Sequence, residues 1–302
     1  MRKLLRLASV SSLVLAIIVM GAGAAAAGNA PQWHQHNTCT GTLNKPGVLA
    51  GTFRGNVVIK GVCAVNGGAA VIKGDLILAP GSVLNATFAL NDVAGTGTSS
   101  LTVRGNIRVQ RGATLGMGCE PNFMPCTDDP NAGTGGTLTG QNRVSGDVLA
   151  SGALGVIIHA SKIGGNVIIL GGGGGVTCAI PSSGIFHLLG SPVFSDAEDN
   201  SIGGSLAIAQ LRTCWLGALR NHVRGNLITA HNKMADPDAN EVLANHVRGD
   251  IACFKNHPAT QYGDSGSTPN LVQGRAFGEC AFNVRKPNPA PSGPLEPISV
   301  KV

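Results

Sequence analysis

Two histidines and two arginines recur in the same order in a duplicated octapeptide. The copies NHVRGNLI and NHVRGDIA begin 24 residues apart and contain His222 with Arg224 and His246 with Arg248. Imidazole and guanidinium groups placed side by side are suited to holding an anionic or metal-bound ligand. These four residues are the candidate ligand-binding residues of the chain. The alternative interpretation is that a structural unit is duplicated and that its outward side chains are only solvated.

Cations also recur outside the octapeptide. An arginine or lysine precedes the glycine of the same short motif at Arg54, Lys73, Arg104, Arg224 and Arg248. If the motifs align in space, these cations form two clusters with a neutral, glycine-rich middle between them. Such clusters favour binding to acidic cell-wall or extracellular polysaccharide. Charges at exposed strand edges also serve simply to block edge association, which is the alternative.

The carboxylates give a weaker indication of chemistry. Two dense groups occur, Asp128 with Asp129 and Asp196 with Glu198 and Asp199. Both groups are predicted to lie in exposed loops. Glycoside hydrolysis needs a pair of carboxylates, but the sequence brings no two of them to a catalytic separation. The catalytic residues are therefore unknown, and enzyme activity stays an alternative.

No metal ion and no cofactor is predicted. The segment DPDAN at 236–240 matches the first half of a calcium-binding loop, but Glu241 and Val247 stand where that loop needs its glycine and its final glutamate. The cysteines contain no C-x-x-C pair typical of a zinc site. The run GGGGG at 171–175 lacks the Lys-Ser/Thr of a phosphate-binding loop.

A repeat predicts the elements that position these residues. Glycine followed by Asn, Asp or Ser, with an apolar residue on each side of the motif, occurs eight times at intervals of about 20 residues or of longer units with insertions. Apolar and polar residues alternate after the motif, which predicts short strands. The eighth instance is Gly204 with Ser205. The other predicted corner residues are Gly55, Asn56, Gly74, Asp75, Gly105, Asn106, Gly146, Asp147, Gly165, Asn166, Gly225, Asn226, Gly249 and Asp250.

These strands predict a solenoid, because one strand of such a unit cannot bury its own apolar side and equivalent strands must stack as parallel sheets. The predicted fold is all-β, a single-stranded right-handed parallel β-helix with disulfides and loop insertions. The composition of 44 glycines and only eight Phe, two Trp and one Tyr fits narrow, stacked layers. At each corner a short Asn, Asp or Ser side chain can bond the local backbone or its counterpart in the next coil. A β-sandwich or barrel is the alternative fold.

A second position also recurs in the repeat, four residues before the glycine of the motif. Asparagine fills it in four of the eight units, at Asn142, Asn200, Asn221 and Asn245. The next position is mostly polar and is predicted to face solvent. His222 and His246 occupy it in consecutive units, so their rings are predicted to stack within about 5 Å of each other.

The N-terminus predicts export. Arg2, Lys3 and Arg6 precede an apolar run and a small-residue stretch, which is typical of a signal peptide at 1–27, with an uncleaved anchor as the alternative. An N-terminal arm or cap at 28–48, a β-helix domain at 49–284 and a proline-rich disordered tail at 285–302 are predicted to follow. Loss of the three cations lowers the net charge from +6 to +3. Nucleic-acid binding and a stable membrane span are therefore not expected.

An even number of cysteines in such a chain indicates disulfides and an oxidising compartment. Sequential pairing, such as Cys119 with Cys126, is one of the connectivities that the sequence allows. The eight candidates are Cys39, Cys63, Cys119, Cys126, Cys178, Cys214, Cys253 and Cys280.

The Gly-[Asn/Asp]-[Val/Ile/Leu] rows between about residues 50 and 255 resemble the repeats of right-handed β-helix proteins and of bactofilin-type polymer-forming proteins. The resemblance implies a solenoid, and its similarity to the fold of pectate-lyase-like enzymes implies that a polysaccharide can lie along one face. The signal peptide and the cysteines depart from the bactofilin pattern. We expect a secreted or cell-wall-associated, non-catalytic scaffold or glycan-binding module of the bacterial cell surface, whose partner is a polysaccharide or a second copy. A polysaccharide lyase or glycoside hydrolase of the same fold is the alternative.

Overall fold

The computed structural model describes residues 37–88, 90–118 and 142–286. Over these residues the chain forms short strands, and all pairs between these strands are parallel. Parallel stacking of successive coils is a β-helix, so the predicted fold class is confirmed. The sandwich or barrel alternative is wrong, because folds built from hairpins pair consecutive strands antiparallel. The right-handed sense of the coil stays a prediction.

Each coil passes through three faces in a fixed order. Face 1 follows the glycine corner, face 2 comes next, and face 3 leads into the next glycine corner. The coil that links the two octapeptides shows this order, with Leu227–Ala230 on face 1, Glu241–Leu243 on face 2 and His246–Val247 on face 3. Equivalent residues of consecutive coils are therefore direct neighbours.

The strands are numbered along the chain. Those of face 1 are β1 (Asn37–Gly41), β4 (Val57–Ala64), β6 (Leu76–Leu78), β9 (Ile107–Val109), β12 (Val148–Ser151), β15 (Val167–Leu170), β18 (Leu206–Ala209), β22 (Leu227–Ala230), β26 (Ile251–Phe254) and β28 (Ala276–Gly278). Those of face 2, which also includes the end of β4, are β2 (Gly47–Val48), β7 (Val83–Ala86), β10 (Thr114–Met117), β13 (Gly155–His159), β16 (Phe194–Glu198), β20 (Trp215–Leu219) and β24 (Glu241–Leu243). Those of face 3 are β3 (Gly51–Phe53), β5 (Ala69–Ile72), β8 (Ser100–Val103), β11 (Arg143–Val144), β14 (Lys162–Ile163), β17 (Ser201–Ile202), β21 (His222–Val223), β25 (His246–Val247), β27 (Asn270–Val272) and β29 (Val284–Arg285).

Smaller elements complete the solenoid. A minor two-stranded sheet pairs β19 (Arg212–Thr213) with β23 (Lys233–Met234) between faces 1 and 2. The helix α1 (Ile185–Leu188) lies in an insertion between β15 and β16, and the 3-10 helix η1 (Glu279–Asn283) precedes β29. Among the described residues, no helix is long and apolar enough to cross a membrane.

Aliphatic columns fill the interior. On face 3, Ile202, Val223 and Val247 are paired in register and are each at most 2% exposed. Leu206, Leu227 and Ile251 form the matching column on face 1 and are fully buried. Burial of each such side chain contributes about 1.5–3 kcal/mol. Stacked aliphatic columns explain how a chain with so few aromatic residues builds a long core.

The aromatic residues are concentrated where an insertion packs on face 2. Phe186 of α1 is 1% exposed and contacts Phe194 edge to face, with ring centroids 5.7 Å apart. Phe194 in turn contacts Trp215 at 6.0 Å. With Ile157 and Val193 these rings form a second apolar cluster outside the central column. The outer side of face 2 is therefore partly covered, which matters for the acidic residues that it carries.

Disulfides join neighbouring coils. The bonds are Cys39–Cys63, Cys178–Cys214 and Cys253–Cys280, which follow the sequential connectivity. Cys119 and Cys126 lie outside the described residues. Such bonds are typical of oxidising, non-cytoplasmic compartments.

The sheets extend slightly beyond the predicted domain bounds. Strand β1 lies within the predicted 28–48 cap, and it pairs with β4 from Asn37 to Gly41. Strand β29 ends at Arg285, the first residue of the predicted tail. The signal-peptide boundary falls outside the described residues and stays a prediction.

Candidate functional site

The glycine corners carry a ladder of side-chain hydrogen bonds. Asn56 Oδ1 accepts from the backbone N–H of Asp75 at 2.8 Å, and Asp75 Oδ1 accepts from that of Asn106 at 2.8 Å. The contact repeats through each later corner as far as the N–H of Arg275. Of the two bonding modes that the sequence allowed, the structure shows the bond to the next coil. The Asn, Asp or Ser of the motif is thus a structural group that satisfies a backbone donor at the turn.

Close stacking of the corners explains the glycine of the motif. A Cβ atom on Gly249 would overlap Asn226 Oδ1 and would lie 2.6 Å from the carbonyl oxygen of Gly225. Any side chain there would separate the two coils. The order of Gly and Asn that recurs within this chain is therefore explained by the packing of the corners and does not indicate a reactive site.

The asparagine of the octapeptide forms a second, buried ladder at the corner between faces 2 and 3. The backbone N–H and Nδ2 of Asn221 both donate to Asn245 Oδ1 at 3.0 Å, and Asn245 donates likewise to Asn270 at 3.1 and 2.8 Å. The residues just before them, Arg220 and Ala244, have left-handed φ angles of 55° and 56°. All three asparagines are fully buried. Asn221 and Asn245 hold the turns from which His222 and His246 project.

A third ladder, at the corner between faces 1 and 2, was not predicted. Asn232 donates from its backbone N–H and Nδ2 to Asn256 Oδ1 at 3.1 and 3.0 Å. Asn256 donates in the same way to the carboxylate of Glu279 at 3.0 and 2.8 Å. The 24-residue spacing of Asn232 and Asn256 equals that of the octapeptides and is the sequence signal for this ladder.

The two histidines of the octapeptide are stacked on the outside of face 3. His222 and His246 are register partners, both are exposed, and their ring centroids are 4.6 Å apart at 40°. The predicted stacking distance therefore agrees with the structure. Partial burial, and then the charge of His222, lower the pKa of His246 below its ordinary value of 6.5. A bound anion would oppose that shift, since it favours the protonated rings.

Arg224 and Arg248 follow the histidines on the same outer surface. Both are exposed, and the N–H of Arg248 donates to the carbonyl of Val223, which keeps the two residues in register. The structure thus brings the four candidate ligand-binding residues together as two adjacent rows. Arginine and imidazolium side chains in this arrangement present hydrogen-bond donors and positive charge to solvent.

The same two outward positions recur along face 3 from β3 to β25, where consecutive strands are paired in register. We call the surface they form the cationic strip. Its first column is Thr52, Val71, Thr102, Arg143, Lys162, Ser201, His222 and His246, and its second column is Arg54, Lys73, Arg104, Ser145, Gly164, Gly203, Arg224 and Arg248. The seven spacings of about 4.8 Å between these eight coils make the strip about 34 Å long.

The middle of the strip is not neutral, which corrects the predicted two-cluster arrangement. Arg143 and Lys162 are exposed register partners in the first column, beside the glycines and serine of the second. They fill the gap between the cluster that starts at Arg54 and the cluster at Arg224. The sequence predicted that the position of Arg143 and Lys162 faces solvent, and the structure adds that these two cations lie beside the neutral residues of the second column.

Neither column of the strip contains a carboxylate. Among the described residues, no ion pair involves Arg54, Lys73, Arg104, Lys162, Arg224 or Arg248. Three motif carboxylates lie at the adjoining corners: Asp75 contacts Arg108 at 3.4 Å, Asp250 contacts Arg275 at 3.0 Å, and Asp147 accepts from the backbone N–H of Asn166 at 2.6 Å. The strip is therefore a continuous surface of one sign of charge.

The acidic group of face 2 differs from its prediction. Asp196 and Glu198 are not loop residues: they lie on β16 and are 0% and 3% exposed. His159 Nε2 lies 3.0 Å from Asp196 Oδ2, and Arg220 Nη2 lies 2.7 Å from Glu198 Oε2. Ligand atoms of His159, Asp196 and Glu198 lie within 4.8 Å of one another. The prediction of exposed loops was wrong because an inserted segment covers part of the outer side of face 2 with apolar side chains. The alternation of apolar and polar residues in the strands does not reveal such an insertion.

Asp199 joins this cluster at its edge. It accepts from Arg220 Nε at 2.9 Å, so one guanidinium holds both Glu198 and Asp199. Ion pairing of this kind is a structural contact between adjacent coils. Asp128 and Asp129 lie outside the described residues.

A buried carboxyl group that sequence reasoning did not identify also lies on face 2. Glu241 is 1% exposed and accepts from Trp215 Nε1 at 3.2 Å. Burial raises the pKa of Glu241 to about 7, and the neighbouring Asp264 raises it further. Hydrogen bonds from Ser265 and Trp215 lower this pKa but do not cancel the effect of burial. Glu241 thus retains its proton to a higher pH than an exposed glutamate does, and it lies beside a second carboxylate, a pairing that no spacing in the sequence indicates.

Comparison with protein-family models, with curated proteins and with solved structures found no significant match to this chain. The resemblance to bactofilin-type repeats therefore stays a prediction.

Proposed function

We propose that this protein is a secreted, non-catalytic β-helix scaffold that binds an acidic extracellular or cell-wall polysaccharide along the cationic strip. The observation that carries the proposal is the strip itself, because its cations repeat at the spacing of the coils with no carboxylate among them. The signal-peptide pattern and the disulfides support an extracellular location.

The geometry suits an extended polymer better than a small ligand. The strip is long and flat, and Arg54 at one end and Arg248 at the other are separated by seven coil spacings, about 34 Å. A polymer contacts many such exposed cations at once, and each contact contributes only about 0.2–1 kcal/mol. Affinity then comes from the number of contacts, as expected of a scaffold that holds a chain without cutting it.

The net charge of the mature chain favours a polysaccharide over nucleic acid. The cationic strip contains seven Lys and Arg, and the rest of the mature chain has 12 against 16 Asp and Glu, so it is acidic. Proteins that bind nucleic acid usually add a much larger basic surface and groups that stack on or read the bases. We therefore expect the protein to bind an acidic polysaccharide more tightly than nucleic acid.

The decisive experiment measures retention of the purified mature protein on polygalacturonate, with dextran as the neutral polymer. We expect binding to polygalacturonate that weakens with added salt, and no binding to dextran. The triple variant Arg104→Gln, Arg224→Gln and Arg248→Gln should bind roughly tenfold more weakly, at about 0.5 kcal/mol for each contact.

The matched control changes Arg212→Gln and Lys233→Gln, two exposed cations on the minor β19–β23 sheet. This variant should bind as tightly as the unaltered chain. Equal losses in both variants would show that overall charge and not the strip is responsible. Equally tight binding to double-stranded DNA of matched charge would show that the strip binds polyanions in general and is not selective for acidic polysaccharide.

Glu241 favours one second candidate, an enzyme that cleaves polysaccharide. A carboxyl group whose pKa is raised by burial is the general acid that glycoside hydrolysis uses, and Glu241 is such a group beside the indole of Trp215. Asp264 is hydrogen-bonded to Glu241 and is therefore too close to be the second catalytic carboxylate. Release of new reducing ends from any polymer of the panel, abolished by Glu241→Gln, would establish this candidate in place of the scaffold.

A further inference from the structure

Exposed apolar side chains are concentrated in one insertion of the solenoid. Among the described residues, eight large hydrophobic side chains are exposed, and four of them belong to the segment 171–193 between β15 and β16. Leu188 is 66%, Leu189 53%, Ile180 50% and Val176 40% exposed. We call these four residues the apolar tip. Clusters of exposed apolar groups mark sites of contact with a partner or a membrane, whereas single ones are ordinary.

The apolar tip is held away from the core by two anchors on the inner side of the insertion. Cys178 is bonded to Cys214, the residue before β20. Phe186 of α1 is buried against Phe194. Each anchor lies within three residues of two members of the tip, so the tip cannot turn inward unless an anchor is broken.

Hydrogen bonds join the two halves of the tip into one surface. His187 Nδ1 donates to the carbonyl of Pro181 at 2.9 Å, which brings the residue after Ile180 to the residue before Leu188. The N–H groups of Leu188 and Leu189 donate within the turn of α1 at 3.1 and 3.0 Å. The backbone of the tip is therefore fixed before any partner binds, and little conformational entropy is lost on binding.

The insertion carries no charged side chain apart from the ionisable His187. Residues 171–193 contain no Asp, Glu, Lys or Arg, although these types form 13% of the chain. Transfer of a charge into apolar surroundings is costly. A neutral segment with outward aliphatic side chains can instead enter the boundary between lipid headgroups and acyl chains, where its backbone stays hydrated.

We propose that the apolar tip inserts into the surface of a lipid bilayer and attaches the solenoid to it peripherally. The insertion leaves the solenoid after face 1 and packs on the outer side of face 2. The cationic strip lies on face 3, so bound lipid and bound polymer occupy different faces. The attachment uses other residues and other forces than the strip and does not depend on the proposed polysaccharide binding.

A second copy of the chain, or another protein, fits the apolar tip less well. The tip exposes roughly 200 Å² of aliphatic side chain, whereas a stable interface buries about 800 Å² on each partner. The insertion also contains no Trp, Tyr, Met or Arg, the residue types enriched in protein interfaces. A fluid bilayer adapts to the shape of the tip and demands no matching surface.

The attachment is expected to be weak and reversible. A single myristoyl chain binds a bilayer with an association constant of about 10⁴ M⁻¹, and the tip has less apolar surface than that chain. We therefore expect an association constant on the order of 10³ M⁻¹. Lipid in the millimolar range should then bind a large fraction of the protein.

Cosedimentation of the full mature chain with phosphatidylcholine vesicles tests the proposal. These vesicles carry no net charge, so the cationic strip does not hold them. At about 1 mM accessible lipid we expect roughly half of the protein to sediment with the vesicles. The bound fraction should not fall when salt is raised from about 0.1 to about 1 M. Absence of binding, or its loss in high salt, would overturn the proposal.

Two matched pairs of substitutions locate the contact. Leu188→Ser with Leu189→Ser should lower the association constant about tenfold or more, because these are the most exposed members of the tip. Val48→Ser with Val93→Ser, at exposed positions next to Gly67, is the control and should bind vesicles like the unaltered chain. Equal losses in both pairs would show that the tip is not the site.

Two further measurements separate this proposal from its competitors. The leucine variant should keep its retention on polygalacturonate, since the strip is unchanged; failure of polymer binding in every chain would concern the strip alone. Sedimentation equilibrium without lipid should show the same mass for both chains. A dimer that the leucine substitutions abolish would assign the tip to a second copy and overturn the lipid contact.

Discussion

Each residue of the octapeptide has a separate physical task. Asn221 and Asn245 lie in a buried ladder, Gly225 and Gly249 allow the corners to stack, and the histidines and arginines are the members that project into solvent. Only the projecting side chains are free of structural demands. The strongest tests of function therefore change those and leave the ladders intact.

Changing His222→Ser together with His246→Ser should leave the fold intact and should change the unfolding free energy by less than about 0.5 kcal/mol, because both side chains face solvent. Chemical denaturation measures this. A loss of several kcal/mol would contradict the outward register of face 3.

The same pair should make polygalacturonate binding depend on pH. The pKa of His246 is lowered below its ordinary value of 6.5 in the free protein, so its ring is largely neutral at pH 7 and becomes cationic only at a lower pH. Affinity should rise as the pH falls from 7.5 to 5.5 in the unaltered chain. The double serine variant should lose this part of the increase, and an identical pH profile would exclude the histidines from the site.

Glu241 should make stability fall as pH rises. Its folded pKa of about 7 exceeds its ordinary value of 4.5, so between these values the folded chain holds a proton that the unfolded chain has released. The raised pKa corresponds to about 2–3 kcal/mol lost across that window. Glu241→Gln should flatten this part of the profile of unfolding free energy against pH. A slope that persists in the variant would assign it to another group.

At the scale of the element, the ladders decide how firmly coils are joined. Asn245→Ala removes the acceptor of Asn221 and two donors, one to Ala218 and one to Asn270. Unpaired buried donors cost about 1–3 kcal/mol each, so we expect the unfolding free energy to fall by about 2–4 kcal/mol. Asn44→Ala, at an exposed turn residue, is the control and should have little effect on the denaturation midpoint.

The strands and corners could be predicted from the sequence because the same pattern of residues repeats in every coil. The motif around Gly225 and Asn226 marks a turn in every unit, and the alternation after it predicts which side chains enter the core. The buried state of Asp196 and Glu241 was not accessible in this way. Their environment is created by segments that occur once, such as the insertion that carries Phe186 and the loop that carries Asp264.

At the scale of the whole molecule, a solenoid is stabilised by contacts between neighbouring coils, so damage should stay local. Cys253–Cys280 ties the last coils across 27 residues, and a loop of that length corresponds to about 3.5 kcal/mol in the chain-entropy model. Replacing both cysteines with alanine should raise hydrogen exchange in β27–β29 first and leave β12–β15 protected. Uniform loss of protection would contradict a quasi-linear molecule.

The ladders at the two ends of face 3 point in opposite directions along the molecule. At the glycine corner, the side chain of an earlier coil accepts from the backbone of the next, as Asn226 does from Asp250; at the asparagine corner, the side chain of the later coil accepts, as Asn245 does from Asn221. The coils that carry Asn200, Asn221 and Asn245 therefore present the same set of donors and acceptors to their neighbours. Deleting residues 222–245 would join Asn221 to His246, recreate one unbroken octapeptide and leave each remaining coil with a matching neighbour. Recombination between such repeats can lengthen or shorten the protein by whole coils, and with them the reach of its charged surface.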